Sequence, residues 1–265
     1  MTTTTHCTKF QPSDYSVSQF ATDFTKLAGS RDGAKDVIEA VCNACDWMVH
    51  LNFNKGIALA TSTTLEPIGR TFSAIGLLEH MNGLRDQLRV SHVKDGEKLK
   101  KDVFHHVTLG IANAADTARL IHDSGIYVFK QGLNSIKTAF WASLGIFDTV
   151  SIYTKAGELQ EYKAELAEFE GTEAAGITQS RINLTYLQIL QSVTLVAMAA
   201  ISLVSLVFGS MAQGVLFSPV VMLGLSSSWL ILNFVNYFYD RIIVHRQNQL
   251  VVAGHTLPPS AATAW

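Results

Sequence analysis

The sequence predicts an all-α membrane protein, a cytosolic helical domain followed by a C-terminal two-helix transmembrane hairpin. Three observations lead there. Between Ile182 and Tyr239 there is no Asp, Glu, Lys, Arg or His. That stretch holds two apolar lengths, separated by a short break over Ser210–Gly214, and a bilayer core takes roughly 20 apolar helical residues to cross. The chain as a whole carries 16% charged residues, with mean hydropathy +0.21, where ordinary soluble domains carry about 25% charged residues. Five prolines in 265 residues and the absence of a period-2 pattern favour long helices over sheet.

The elements follow in order. Residues 1–13 are polar and read as a flexible N-terminus, with no apolar core like that of a cleavable signal peptide. Asp14 then caps a short amphipathic helix whose apolar side is Val17, Phe20, Ala21, Phe24 and Leu27, at i, i+3, i+4, i+7 spacing. Val17, Phe20, Phe24 and Leu27 are candidates to lie on a membrane surface, although Asp23 and Lys26 make a thinly charged polar face for that role. Packing against the rest of the domain is the competing use of the same face. A second helix runs from Ser30 to about Leu51, with Val37, Ile38, Val41, Cys45 and Met48 along one side. The Gly56–Thr64 stretch reads as a connection, and a third helix begins near Glu66-Pro67, where proline suits a first turn. It carries Ile68, Phe72, Ile75, Leu78, Met81, Leu84 and Leu88 as its apolar face. A fourth helix over about 97–123 presents Leu99, Val103, Val107 and Ile111, and Gly125 breaks it. Residues 126–153 read as a buried or membrane-immersed helix with one acid, Asp148, in its apolar part. Glu158–Gly171 is an acidic connecting helix, and Gly171–Gly176 is the best linker. The domains are thus 14–176, the helical cytosolic domain; 177–246, the hairpin with its flanks; and 247–265, a C-terminal tail.

The flanks orient the hairpin. Arg181 precedes it, Arg241, His245 and Arg246 follow it, and the turn is uncharged. Positive residues stay on the cytosolic side, which puts both termini in the cytosol. Small residues at four-residue spacing, Ser205 with Gly209 and Gly224 with Ser228, let helices approach closely. They are candidate helix interfaces, within the hairpin or between copies in a homo-oligomer.

Sites for chemistry are scarce, and the sequence is read as non-enzymatic and without cofactor or metal. Cys42 and Cys45 form a C-x-x-C pair in mid-helix rather than at a helix start, where the dipole would activate a thiol. His105 and His106 are adjacent, so on a helix they project about 100° apart and do not readily share one metal. Asp148 is the one acid to weigh as functional, because a carboxylate in an apolar segment is costly. A helix-interface hydrogen bond is its simpler role. Formal net charge −2 gives no basic field for nucleic acid.

Two resemblances bear on function. The segment Gly29-Ser-Arg31-Asp32-Gly33-Ala-Lys35 is similar to the Gly-Arg-Asp-Lys-like signal of the peroxin family that elongates and divides peroxisomes, with an interrupting Ser and a displaced Lys. Ile68-Gly-Arg70-Thr-Phe72 stands where that family has an Arg-rich amphipathic helix, lacking its second arginine. Asp148 with Gly157, and Gly224–Ser227, resemble further features of that family. The bilobed hairpin itself resembles that of the inclusion membrane proteins that chlamydiae place in the vacuole enclosing them. That resemblance implies both termini in host cytosol and a helical domain that recruits protein partners. The expectation is therefore a bilayer-anchored scaffold that recruits proteins to, or shapes, a vacuole or peroxisome-type membrane. A small transporter or channel subunit is the third class.

Overall fold

A computed structural model of the chain describes residues 16–89, 96–129, 132–169, 172–208 and 218–252. The expected loose segment 1–13, Asp14, Gly209 and residues 253–265 lie outside the described residues. Among the described residues there are seven helices and no strand: α1 (Val17–Gly29), α2 (Arg31–His50), α3 (Lys55–Arg89), α4 (Gly96–Asp123), α5 (Leu133–Glu168), α6 (Glu173–Phe208) and α7 (Pro219–Val252). The all-α class is as expected, and α6 and α7 are the two helices long and apolar enough to cross a membrane.

Several boundaries differ from the sequence reading, each for a local reason. α1 opens on a capping box at Ser16: the Gln19 N–H donates to Ser16 Oγ (3.2 Å) while the Ser16 N–H donates to Gln19 Oε1 (2.8 Å). α2 is capped by Ser30, whose hydroxyl accepts from the Gly33 N–H. Gly33 is required there, because a Cβ would stand 2.1 Å from the Leu27 carbonyl oxygen. The α2–α3 turn is Leu51–Asn54, not Gly56–Thr64. Asn52 and Asn54 take positive φ (57° and 42°), the left-handed region that asparagine tolerates. α3 then absorbs the Thr-rich stretch, with the Thr63 and Thr64 hydroxyls donating back to the Leu59 and Ala60 carbonyls. Pro67 lies inside α3, where its missing N–H costs the bond to the Thr63 carbonyl.

α5 is one helix of 36 residues where two segments were expected. The Lys155–Glu158 ion pair (2.8 Å) spans the junction expected between residues 153 and 158, and a glycine there, Gly157, costs a helix only about 1 kcal/mol against alanine. α6 begins at Glu173, inside the expected linker, with the Ala175 N–H on Thr172 Oγ1. α7 starts at Pro219, a favoured first position, and continues past the end of the expected hairpin to Val252.

The chain divides into two compact units. The smaller holds the described parts of Met1–Lys26, Ser151–Gln191 and Ile231–Trp265. Its core is Ile177, Leu184 and Ile243, with Tyr239 packed on it. Phe20 of α1 stacks on Phe238 of α7 at 4.6 Å between ring centres, and the Tyr237 hydroxyl donates to the Asp23 carbonyl (3.2 Å). α6 and α7 are joined by an amide clasp: Gln191 Nε2 donates to Asn233 Oδ1 (3.0 Å) and Asn236 Nδ2 donates to Gln191 Oε1 (2.6 Å). Arg181, read from the sequence as a cation flanking the first span, is buried in this unit.

The larger unit is Leu27–Val150 with Ser192–Leu230. Within it α3 packs against both α2 and α4. α3 and α4 run antiparallel, since Ser73 meets Asp116, Gly76 meets Asn113 and Gly83 meets His106 in steps of equal and opposite sense. The face that α3 buries is not its apolar one. Gly69, Ser73, Gly76 and His80 are buried, whereas Ile68, Ile75, Leu78, Met81 and Leu88 are exposed, Leu78 at 61%. On α4, Thr108 and Asp116 are buried while Val107 and Ile111 are exposed. Small residues let the two backbones approach, and the polar groups between them satisfy one another.

Candidate functional site

The larger unit holds an open cleft of about 310 Å³ lined by residues of α2, α3 and α4 together with Phe140 and Ser226. Its wall is a charged network built from residues one or two turns apart. Lys35 Nζ donates to Ser73 Oγ (2.9 Å), and Ser73 Oγ donates to Asp116 Oδ2 (2.6 Å). Asp116 is buried and also faces Arg119 (3.6 Å), Lys35 (3.8 Å) and Arg70 (4.0 Å). Arg70 in turn pairs with Glu66 and Asp123. Glu39 lines the same space, 3.8 Å from Lys35. Partial burial raises its carboxyl above the ordinary range; Lys35 works against the shift and Asp116 adds to it.

The network's distances suit a Ser–Lys pair, but its burial does not. A nucleophile must reach its substrate, and Ser73 is 1% exposed with its proton directed to Asp116. What the arrangement does is tie three helices together through one buried carboxylate that faces cations from α2, α3 and α4.

A second cluster stands on the same pair of helices. His80 of α3 forms a near-equilateral triangle with His105 and His106 of α4, with ring centres 5.7 and 5.6 Å from its own and 5.4 Å from each other. His80 Nδ1 and His106 Nδ1 are 3.2 Å apart. Gly83 makes room for this, because a Cβ there would meet the His106 ring at 2.4 Å. Burial first, then His105, His106 and Arg31, hold His80 below the ordinary imidazole range. No family model, curated protein or solved structure matches this chain. Function therefore has to be argued from these geometries alone.

The residues singled out from sequence are dispersed. Val17, Phe20 and Phe24 are exposed and Leu27 is buried, with Phe20 also against Phe238. Asp148 is buried on α5 and accepts a hydrogen bond from Ser192 of α6; burial pushes its carboxyl up to about 6 against that bond. The Ser228 hydroxyl donates to its own helix at the Gly224 carbonyl (2.9 Å), a Cβ on Gly224 would meet nothing within 4 Å, and Ser205 lines a shallow apolar pocket with Lys137, Trp141 and Met222. Cys42 and Cys45 are free thiols, and burial, Asp46, Glu66 and Cys45 raise the Cys42 thiol. Asp116, Ser73 and His80 were not picked out from the sequence, and Arg70 only as part of a family resemblance. Their signal was the stripe Gly69, Ser73, Gly76, His80, Gly83, which keeps one helix face with small or polar residues only.

Proposed function

We propose that this chain is a non-enzymatic, bilayer-anchored scaffold: α6 and α7 hold it in a membrane and the outer face of α3 recruits a protein partner. The observation that carries the reading is the outward placement of apolar side chains around a polar and small-residue interior. In the most apolar windows of α6 and α7 only 28% and 11% of residues are buried, so these are not core helices of the kind a soluble bundle hides. The amide clasp of Gln191, Asn233 and Asn236 is the type of contact that joins helices where water does not compete. On α3, Ile68, Ile75, Leu78, Met81 and Leu88 form an exposed apolar run, and contiguous apolar surface marks interaction sites. Both termini on the cytosolic side, in a vacuole or peroxisome-type membrane, is the corresponding placement.

Affinity capture by the full chain in vesicles tests the recruiting half. Specific partners that are lost with Ile75→Glu, Leu78→Glu support it; capture unchanged by that double variant removes the α3 face from the account. Membrane shaping by α1 has less support, since Phe20 stacks on Phe238 and Tyr237 holds the Asp23 carbonyl. A second reading, passage of a polar solute, is favoured by one observation, the charged cleft in the same unit as buried Asp148. Solute flux in proteoliposomes that is abolished by Asp148→Asn would favour it, and absence of flux would dismiss it.

A further inference from the structure

We propose that His80, His105 and His106 form a binding site for one divalent transition-metal ion of the zinc class. Adjacent histidines on one helix diverge, but the antiparallel register of α3 and α4 brings His80 between them, so one ligand nitrogen from each lies within 4.8 Å of the others. Tetrahedral zinc with bonds of about 2.0–2.1 Å places neighbouring ligand nitrogens about 3.3 Å apart. His80 Nδ1 and His106 Nδ1, at 3.2 Å, already have that separation. The remaining closure falls to His105, whose exposed ring needs to move inward by roughly 1.5 Å to complete three ligands at that spacing.

A plain hydrogen bond between His80 and His106 accounts for the 3.2 Å contact, and His105 also packs edge-on against Phe147 at 5.4 Å. The surroundings favour an ion. His80 is buried against α4, which fixes the position of its ring. Arg31, the nearest opposing charge, is itself paired with Asp32 and Glu79. An all-imidazole donor set selects zinc, cobalt, nickel or copper over magnesium or calcium. Three protein ligands with an exposed third ring leave the fourth position to water.

The test uses the full, untagged chain in detergent micelles, stripped with a chelator and titrated with Zn²⁺ against a chromophoric competitor. One equivalent is expected, and Co²⁺ should give the visible bands of a tetrahedral nitrogen site. His80→Gln and His106→Gln should each weaken binding by at least about tenfold, and His105→Gln should do so without disturbing a buried side chain. His122→Gln, beside Phe129 on the same helix, should change nothing. Far-ultraviolet circular dichroism confirms that each variant keeps its helices; if His80→Gln does not, His105→Gln decides. No binding at micromolar Zn²⁺, or equal binding by wild type and His105→Gln, would overturn the proposal. So would equal losses in His105→Gln and His122→Gln, which would indicate scattered surface histidines.

Discussion

Replacing Asp116 by asparagine removes one charge from the centre of the network while leaving an acceptor for the Ser73 hydroxyl. The carboxylate faces Arg119 at 3.6 Å, Lys35 at 3.8 Å and Arg70 at 4.0 Å. At an effective dielectric of about 20, a unit pair 4 Å apart is worth about 4 kcal/mol before desolvation is counted. Desolvation of a buried carboxylate takes back most of the sum. Breaking a buried pair by removing one partner nets about 3–5 kcal/mol. Here the cations retain other partners, Lys35 in Glu39 and Arg70 in Glu66 and Asp123. The expected loss therefore falls to about 2–3 kcal/mol, read as a melting temperature lower by roughly 4–12 °C for a chain of this size. Thermal unfolding in detergent, followed by circular dichroism, measures it. Glu158→Gln is the control: its pair with Lys155 is short at 2.8 Å but partly exposed, and such pairs contribute about 0–1 kcal/mol. If Asp116→Asn costs no more than Glu158→Gln, the network is solvated and the polar interior is not what holds α2, α3 and α4 together.

Other outcomes follow from the same geometry. Asp148 binds its proton more tightly folded than unfolded, since its carboxyl is raised from 3.8 to about 6. Its burden on stability is thus full above about pH 6 and is relieved as pH falls toward 4. Asp148→Asn should stabilise the protein at pH 8 by up to about 3 kcal/mol and flatten the melting temperature between pH 7 and 5. A wild-type pH profile retained by the variant would place the titration elsewhere. Gln191→Leu leaves Asn233 and Asn236 without the partner that joins α6 to α7. It should lower resistance to unfolding by denaturing detergent by about 1–2 kcal/mol. Gly83→Ala drives a methyl into the His106 ring, and should weaken Zn²⁺ binding by about tenfold or more while Gly96→Ala, in open space, should not.

Periodicity revealed the helices better than it revealed their inward faces. The apolar spacing of Ile68, Ile75, Leu78 and Leu88 marked α3 correctly as a helix but did not tell which of its faces is buried. Amphipathic reasoning assumes water outside; here Ser73, His80 and the glycines face α4 instead. The hairpin helices were legible because a run without charge has few other uses. The α2–α3 turn was not, since two asparagines in left-handed conformation are a weaker signal than the Thr-rich segment that follows them. The histidine cluster required tertiary register: His80 lies a full helix hairpin away from His105 and His106, and nothing at single-helix spacing connects them. Asp148 was visible as a costly acid, and its partner Ser192 was not.

Whether the outward apolar faces of α6 and α7 lie in a bilayer is answered by alkaline carbonate extraction of membranes from expressing cells. The prediction is that the full chain stays in the membrane pellet and is released only by detergent. Complete release into the carbonate supernatant, with the protein monodisperse in buffer without detergent, would contradict it.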